Sequence, residues 1–154
     1  MNRSKQIGTA GESAVRDYLR ANGFFGCERR ALNGNHDLGD LTGIGPLVVE
    51  VKAGGAAANA SDGQVSKWLD ETEVERQNAQ ADYGLLVMKR AGIGPARAGE
   101  WWAVLPAWQF LSLQGVRHSP VPADVPIRLH LQDAVKILRL AGYGDALLEE
   151  RAAA

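Results

Sequence analysis

The stretch Gly39–Lys52, reading GDLTGIGPLVVEVK, constrains the fold of this chain more than any other. It reads as a β-hairpin. A short strand carries Asp40, the turn Gly43-Ile44-Gly45-Pro46 reverses the chain, and Leu47–Lys52 runs back as a second strand. Glycine adopts positive φ without a steric penalty, and proline fixes the exit from the turn. The second strand is apolar and β-branched up to Glu50. Side chains alternate along a strand, so Glu50 and Lys52 share one face while Val49 and Val51 share the other. A Glu-x-Lys triplet there signals either chemistry or a salt bridge, and alone it also occurs by chance on solvated hairpins.

The chemical reading rests on what two carboxylates and a lysine do together. If the hairpin forms, Asp40 and Glu50 converge near the ends of adjacent strands. Two carboxylates about 4 Å apart repel by roughly 4 kcal/mol at an effective dielectric of about 20. That is a large part of the ~5–15 kcal/mol that holds an ordinary domain folded, and a cation relieves it. Mg²⁺, with Mn²⁺ as a substitute, takes one or two protein carboxylates and keeps the rest of its shell for water and phosphate. Such an ion polarises a phosphodiester and generates a hydroxide-like nucleophile. Lys52 would orient that water or offset charge in the transition state. The layout is that of a metal-dependent phosphodiesterase.

Composition sets the outer bounds. A chain of 154 residues fits one domain and can bury about 68–70% of its unfolded surface. The net charge of −1 gives no global attraction to nucleic acid, so any such partner must be held by a local basic stripe or through metal ions. The single cysteine, Cys27, excludes an internal disulfide framework and suits a reducing compartment. Neither an apolar span nor a signal-peptide core is evident, and a cytoplasmic protein is expected.

In chain order, residues 4–22 read as a helix with Ile7, Gly11, Ala14, Val15, Tyr18 and Leu19 on one side, stopped at Asn22-Gly23. Glu12 lies about 20° round the helix from Leu19. It either pairs with Arg16 four residues on or reaches over the sheet edge as a third carboxylate. Phe24–Arg30 reads as a strand and Asn33-Gly34-Asn35 as a turn. His36 is a surface residue, a ligand or a base, and Asp37 either positions metal or caps the turn. Residues 53–60 read as a small-residue loop, covering a ligand or serving as linker.

A second helix, capped by Ser61 or Asp62, runs to about Gln80 with Val65, Trp68, Leu69, Thr72 and Ala79 buried. Lys67 and Gln77 lie off that stripe, solvated or meeting phosphate. The acidic run Asp70, Glu71, Glu73, Glu75 is expected to face water. Tyr83–Lys89 is a central strand, 92–99 a loop carrying Arg97, and Trp101–Leu105 the last strand, with its two tryptophans on opposite faces. A short helix after Pro106, a Pro-rich crossing at 119–126 and a helix at 131–140 complete the chain. The order predicts a small α/β domain with a mixed sheet flanked by helices.

Helix with Glu12, then Asp40, then Glu50-x-Lys52 after an apolar run, then helix and two strands, resembles the PD-(D/E)xK nuclease superfamily. Within it the chain resembles Holliday junction resolvases of the archaeal type and their relatives in actinobacterial phages. The resemblance is carried by Gly8-Thr9-Ala10-Gly11-Glu12, Arg29-Arg30-Ala31-Leu32-Asn33-Gly34, Asp37-Leu38-Gly39-Asp40, Val49-Glu50-Val51-Lys52 and Val87-Met88-Lys89-Arg90. No proline precedes Asp40, where the superfamily pattern has one.

The resemblance implies a restriction-endonuclease-like fold and a homodimer that nicks opposing strands of a four-way DNA junction in recombination. It implies that Glu12, Asp40 and Glu50 bind Mg²⁺, with Asp37 competing for that role, and that Lys52 serves the attacking water. Arg29, Arg30, Lys67, Lys89, Arg90 and Arg97 are the expected DNA contacts. Residues 1–108 form the expected nuclease domain, and 109–154 a helical extension packed on it. Two other readings stay open: another nuclease or nickase of this superfamily, and a non-catalytic DNA-binding module of the same fold.

Overall fold

The structure is a computed structural model describing residues 2–31, 37–118, 120 and 122–146. Helix α1 spans Arg3–Ala21. The Asn2 side chain accepts a hydrogen bond from the Ser4 N–H at 3.0 Å and caps its first turn. Two-residue strands β1 (Glu28–Arg29) and β2 (Leu41–Thr42) pair antiparallel. Strand β3 covers Leu47–Lys52, α2 Gly55–Ala58, α3 Asp62–Asn78 and β4 Tyr83–Met88. A 3-10 segment over Pro95–Glu100 leads to β5 (Trp102–Pro106), α4 (Ala107–Leu113), β6 (Pro126–His130) and α5 (Leu131–Leu140).

The main sheet has the order β3-β4-β5-β6. β3 and β4 are parallel, and the other two pairs are antiparallel. Strand alternation divides the core between two faces. On one, Val49, Val51, Leu85, Val87 and Ala103 pack with Val15 and Leu19 of α1 and with Ala134, Val135 and Leu138 of α5. On the other, Leu86, Met88 and Val104 pack with Val65 and Leu69 of α3. The result is a mixed α/β domain with helices on both faces of a mixed sheet.

Several expectations change. The strand expected over Phe24–Arg30 shrinks to Glu28–Arg29, because residues 22–26 form turns, with φ of +97° at Gly23. Asp40 precedes β2 instead of lying in a strand that pairs with β3. Its N–H still donates to the Val49 carbonyl at 3.0 Å, so the reversal through Gly43 and Gly45 (φ +73° and +69°) forms as expected. Residues 55–58 of the expected loop are helical. Past Trp108, where helices and a Pro-rich crossing but no strand were expected, β6 adds a fourth strand to the same sheet. Its alternation of Ile127 and Leu129 with Arg128 and His130 is a period-2 pattern hidden behind a Pro-rich run. Of the two tryptophans, Trp101 is fully buried with its indole N–H on the Ile93 carbonyl, while Trp102 is half-buried on the α3 face. Among the described residues, no helix is long and apolar enough to cross a membrane.

α1 meets the end of β3 at a glycine. A Cβ on Gly11 would lie 2.2 Å from the Ala53 Cβ, whereas one on Gly8 would meet nothing within 4 Å. Gly→Ala in an open helix position gains about 0.5–1 kcal/mol, and forcing a methyl into a packed contact costs about 1–3 kcal/mol. In urea denaturation Gly8→Ala is therefore expected to stabilise the protein and Gly11→Ala to destabilise it. Equal gains from both would show that α1 is free to slide on the sheet.

Candidate functional site

The candidate site is built on the C-terminal half of β3. Glu50 and Lys52 lie on the α3 face of the strand, and the Lys52 ammonium donates to Glu50 Oε1 at 2.6 Å. Glu50 is 8% exposed. The loop before β2 brings in Asp40, whose Oδ2 accepts from the Val51 N–H at 2.7 Å. Burial pushes the Asp40 carboxyl up to about 7, and the neighbouring Glu50 charge adds to the rise; the Val51 N–H pulls the other way, and Glu12 contributes a smaller repulsion. Burial works against the Lys52 charge, but its hydrogen bond to Glu50 and the Glu50 and Asp40 charges outweigh that, so its pKa rises. The two carboxylates and the lysine thus form one electrostatic unit at the edge of the sheet.

Helix α3 supplies the wall of this unit, and here the sequence reading is corrected. Glu75 was expected to face water with the rest of its acidic run; it is 4% exposed. Its Oε2 is buried with no hydrogen-bond partner. Burial first, then the charges of Glu50, Asp37 and Asp40, raise its carboxyl to about 8, with Lys52 opposing. Asp70 and Glu71 are exposed as expected, and Glu73 is tied to Arg76. The signal that finds Glu75 is its spacing from Trp68. Seven residues on is about 20° round a helix, and Trp68 lies under Lys52, with the ammonium 5.9 Å from the ring centroid. One flank of α3 therefore faces both ends of the site.

The remaining expected residues separate. Glu12 pairs with Arg29 at 2.7 Å, not with Arg16, which pairs with Asp17. Arg29 is thereby engaged, and Arg30 reaches the Leu41 carbonyl. Asp37 Oδ1 accepts from the Gly39 N–H at 3.3 Å, a turn-capping contact, and its carbonyl accepts from Asn78. Lys89 follows β4 and its N–H donates to the Lys52 carbonyl at 2.9 Å, so it sits beside the site. Lys67 is exposed on α3, and Gln77 is held by Glu73. Arg97 makes two hydrogen bonds to Glu100, at 2.7 and 2.6 Å, and is occupied there. His36 and Leu32-Asn33-Gly34 lie outside the described residues.

Among the described residues, no three His, Cys, Asp or Glu side chains come together as a ready metal-ligating group. Asp40 and Glu50 do offer a pair of oxygen donors whose mutual repulsion a cation would relieve. That set suits a hard ion that needs only one or two protein carboxylates. A groove of about 570 Å³ runs along α1 and the 3-10 segment and contains none of these residues.

Fold and site together define a mixed α/β protein with a half-buried Asp–Glu–Lys group at a sheet edge. No protein-family model, curated protein or solved structure matches the chain.

Proposed function

We propose that this chain is a Mg²⁺-dependent DNA endonuclease of the PD-(D/E)xK kind, on a restriction-endonuclease-like sheet, that resolves four-way junctions as a homodimer. The observation that carries the reading is the Asp40–Glu50–Lys52 group, in which buried carboxylates repel one another and a lysine is hydrogen-bonded between charge and solvent. Asp40 and Glu50 would hold the ion. When bound, it would supply Lewis-acid polarisation of the phosphodiester and a more acidic water. Asp40 is held in place by the Val51 N–H, and Lys52 by Glu50. The Lys52 ammonium offers its remaining N–H donors to an attacking water or to a phosphoryl oxygen. Glu12 is bound by Arg29, so its recruitment to the ion requires that pair to open. Lys89 beside the site and Lys67 on α3 would contact flanking phosphates, and Arg29 and Arg30 those beyond α1.

A non-catalytic DNA-binding module is the second reading. It is favoured by the lack of a ready three-ligand metal group among the described residues. The deciding experiment is cleavage of a labelled immobile four-way junction and of the matching linear duplex, each with Mg²⁺ and with EDTA. Symmetric nicks in the junction alone, and only with metal, are expected. Cutting of both substrates would replace the junction claim with a general nuclease or nickase. Intact products under every condition, with DNA still bound, would leave the binding module.

A further inference from the structure

The register of the sheet carries one face of the site across to its far edge. Paired residues in neighbouring strands point to the same face. Two rows therefore run over the α3 face: Glu50, Leu86, Val104, Arg128 and, beside it, Lys52, Met88, Trp102, His130. α3 covers the apolar middle of both rows with Val65 and Leu69. At the polar ends, Lys52 on β3 is partly exposed above the buried Glu50, and on β6, the last strand in the sheet order, Arg128 is exposed and His130 half-buried. Three strand spacings of about 4.8 Å separate them, about 14 Å in all.

At the β6 end, basic groups gather on one indole. The Arg90 guanidinium lies 4.4 Å and that of Arg128 5.4 Å from the Trp102 ring centroid. The His130 ring is 5.2 Å from the same centroid. Cation–π contact at these distances holds a guanidinium in orientation while leaving its N–H edge open. Arg90 Nη1 is further fixed by the Glu100 carbonyl and His130 Nε2, both at 3.0 Å. Among the described residues neither arginine has a carboxylate within 4 Å. The nearby acids are already engaged: Glu100 pairs with Arg97, and Asp133 lies 3.5 Å from Lys136 and 3.9 Å from His130. Two guanidiniums on one indole, neither paired with a carboxylate, offer N–H donors to an anion, and their planar forks match phosphate oxygens.

We propose that Arg90 and Arg128, mounted on Trp102 beside His130, form a second phosphate-binding site for the nucleic-acid strand whose scissile phosphate lies at Glu50 and Lys52. This rests on the DNA-cleaving reading above. At about 3.4 Å of rise per nucleotide of a duplex strand, 14 Å is a reach of about four nucleotides. The patch grips the substrate's backbone and sets its register on the sheet, with no part in the chemistry. Of these four residues, only Arg90 belonged to the basic positions legible in the sequence; Trp102, Arg128 and His130 join it through β6.

The test is fluorescence anisotropy of a labelled four-way junction in EDTA, from about 50 to 200 mM NaCl, with wild type, Arg128→Ala, Arg90→Ala and Lys136→Ala. Arg128 is exposed, so its substitution leaves the fold intact. Lys136 is exposed on α5, on the opposite side of the sheet. Each arginine variant is expected to bind about 5–10-fold more weakly and to lower the salt slope by about one, with Lys136→Ala unchanged. Wild-type affinity and slope in both arginine variants would overturn the patch while leaving the nuclease reading standing. Arginine-dependent binding by a protein that never cleaves would overturn the nuclease reading and keep the patch. A wild type that binds no DNA would end both.

Discussion

Lys52→Ala is expected to reduce DNA cleavage by at least about 10²–10³-fold while junction binding in EDTA changes less than about threefold. The cleavage loss follows from removing a positive charge aimed at developing phosphoryl charge, an effect of that size for one preorganised donor. The binding result follows because Lys52 is turned inward: one of its ammonium donors is held by Glu50, and its side chain is only 26% exposed, so it adds little to contacts along the DNA backbone. The substitution also has a stability cost. It leaves the Glu50 carboxylate uncompensated beside Asp40, and breaking a largely buried pair costs on the order of 3 kcal/mol, less here because Lys52 keeps some contact with solvent. Lys52→Arg separates the two effects. It restores the charge and most of the stability, yet its planar, wider head group does not reproduce a point charge at 2.6 Å from Glu50. Cleavage therefore stays depressed in a well-folded protein. Stopped-time cleavage assays with thermal melts of both variants check this, and cleavage by Lys52→Ala within tenfold of wild type would remove Lys52 from the chemistry.

The parts of this site visible in the sequence are those set by local rules. Alternation puts Glu50 and Lys52 on one face and Val49 and Val51 on the other, and the structure has them so. The turn glycines announce themselves because few other residues tolerate φ near +70°. What local rules do not fix is which long-range partner wins. Glu12 has Arg16 at ideal helical spacing, yet Arg29 takes it from across the chain. Asp40 heads a segment that pairs through β2 with β1 while still bonding to β3. Glu75 is the instructive failure. Four acids within six positions of α3 read as a solvated face, since charged residues are rarely buried. The same helix carries Trp68 one heptad earlier on the same flank, and that periodicity, followed through, places Glu75 against the sheet. A buried carboxylate with an unpartnered oxygen lowers stability, and its position beside Asp40 and Glu50 makes it part of the site's electrostatics. β6 escaped for another reason: five residues between a Pro-rich run and a helix are too few for periodicity to stand out.

The stability of the metal-free protein is expected to fall as pH rises from about 4 to about 8. Asp40 and Glu75 are the cause. In the unfolded chain their carboxyls ionise near 3.8 and 4.5, and in the folded protein near 7 and 8. Between those limits the folded state holds protons that the unfolded state has lost, so the slope of unfolding free energy against pH is negative. The stabilisation is fully present below the unfolded values and lost once pH passes the folded ones. The groups facing Glu75 are Glu50, Asp37 and Asp40, which favour its neutral form, and Lys52, which opposes it. Glu75→Gln removes this proton from the balance and satisfies the same volume. At pH 8.5 it is expected to be about 1–3 kcal/mol more stable than wild type, and at pH 4.5 equal or slightly less stable. Asp40→Asn keeps an acceptor for the Val51 N–H and behaves the same way. The double variant gains less than the sum, because the Asp40 charge is itself one of the causes that raise Glu75. Urea denaturation at pH 4.5, 6.5 and 8.5 reads all of this directly. If millimolar Mg²⁺ flattens the falling limb in wild type and in Glu75→Gln but not in Asp40→Asn, the ion is held at Asp40 and Glu75 serves only to raise the local negative field. Equal stability of wild type and Glu75→Gln at all three pH values would mean that Glu75 is solvated after all.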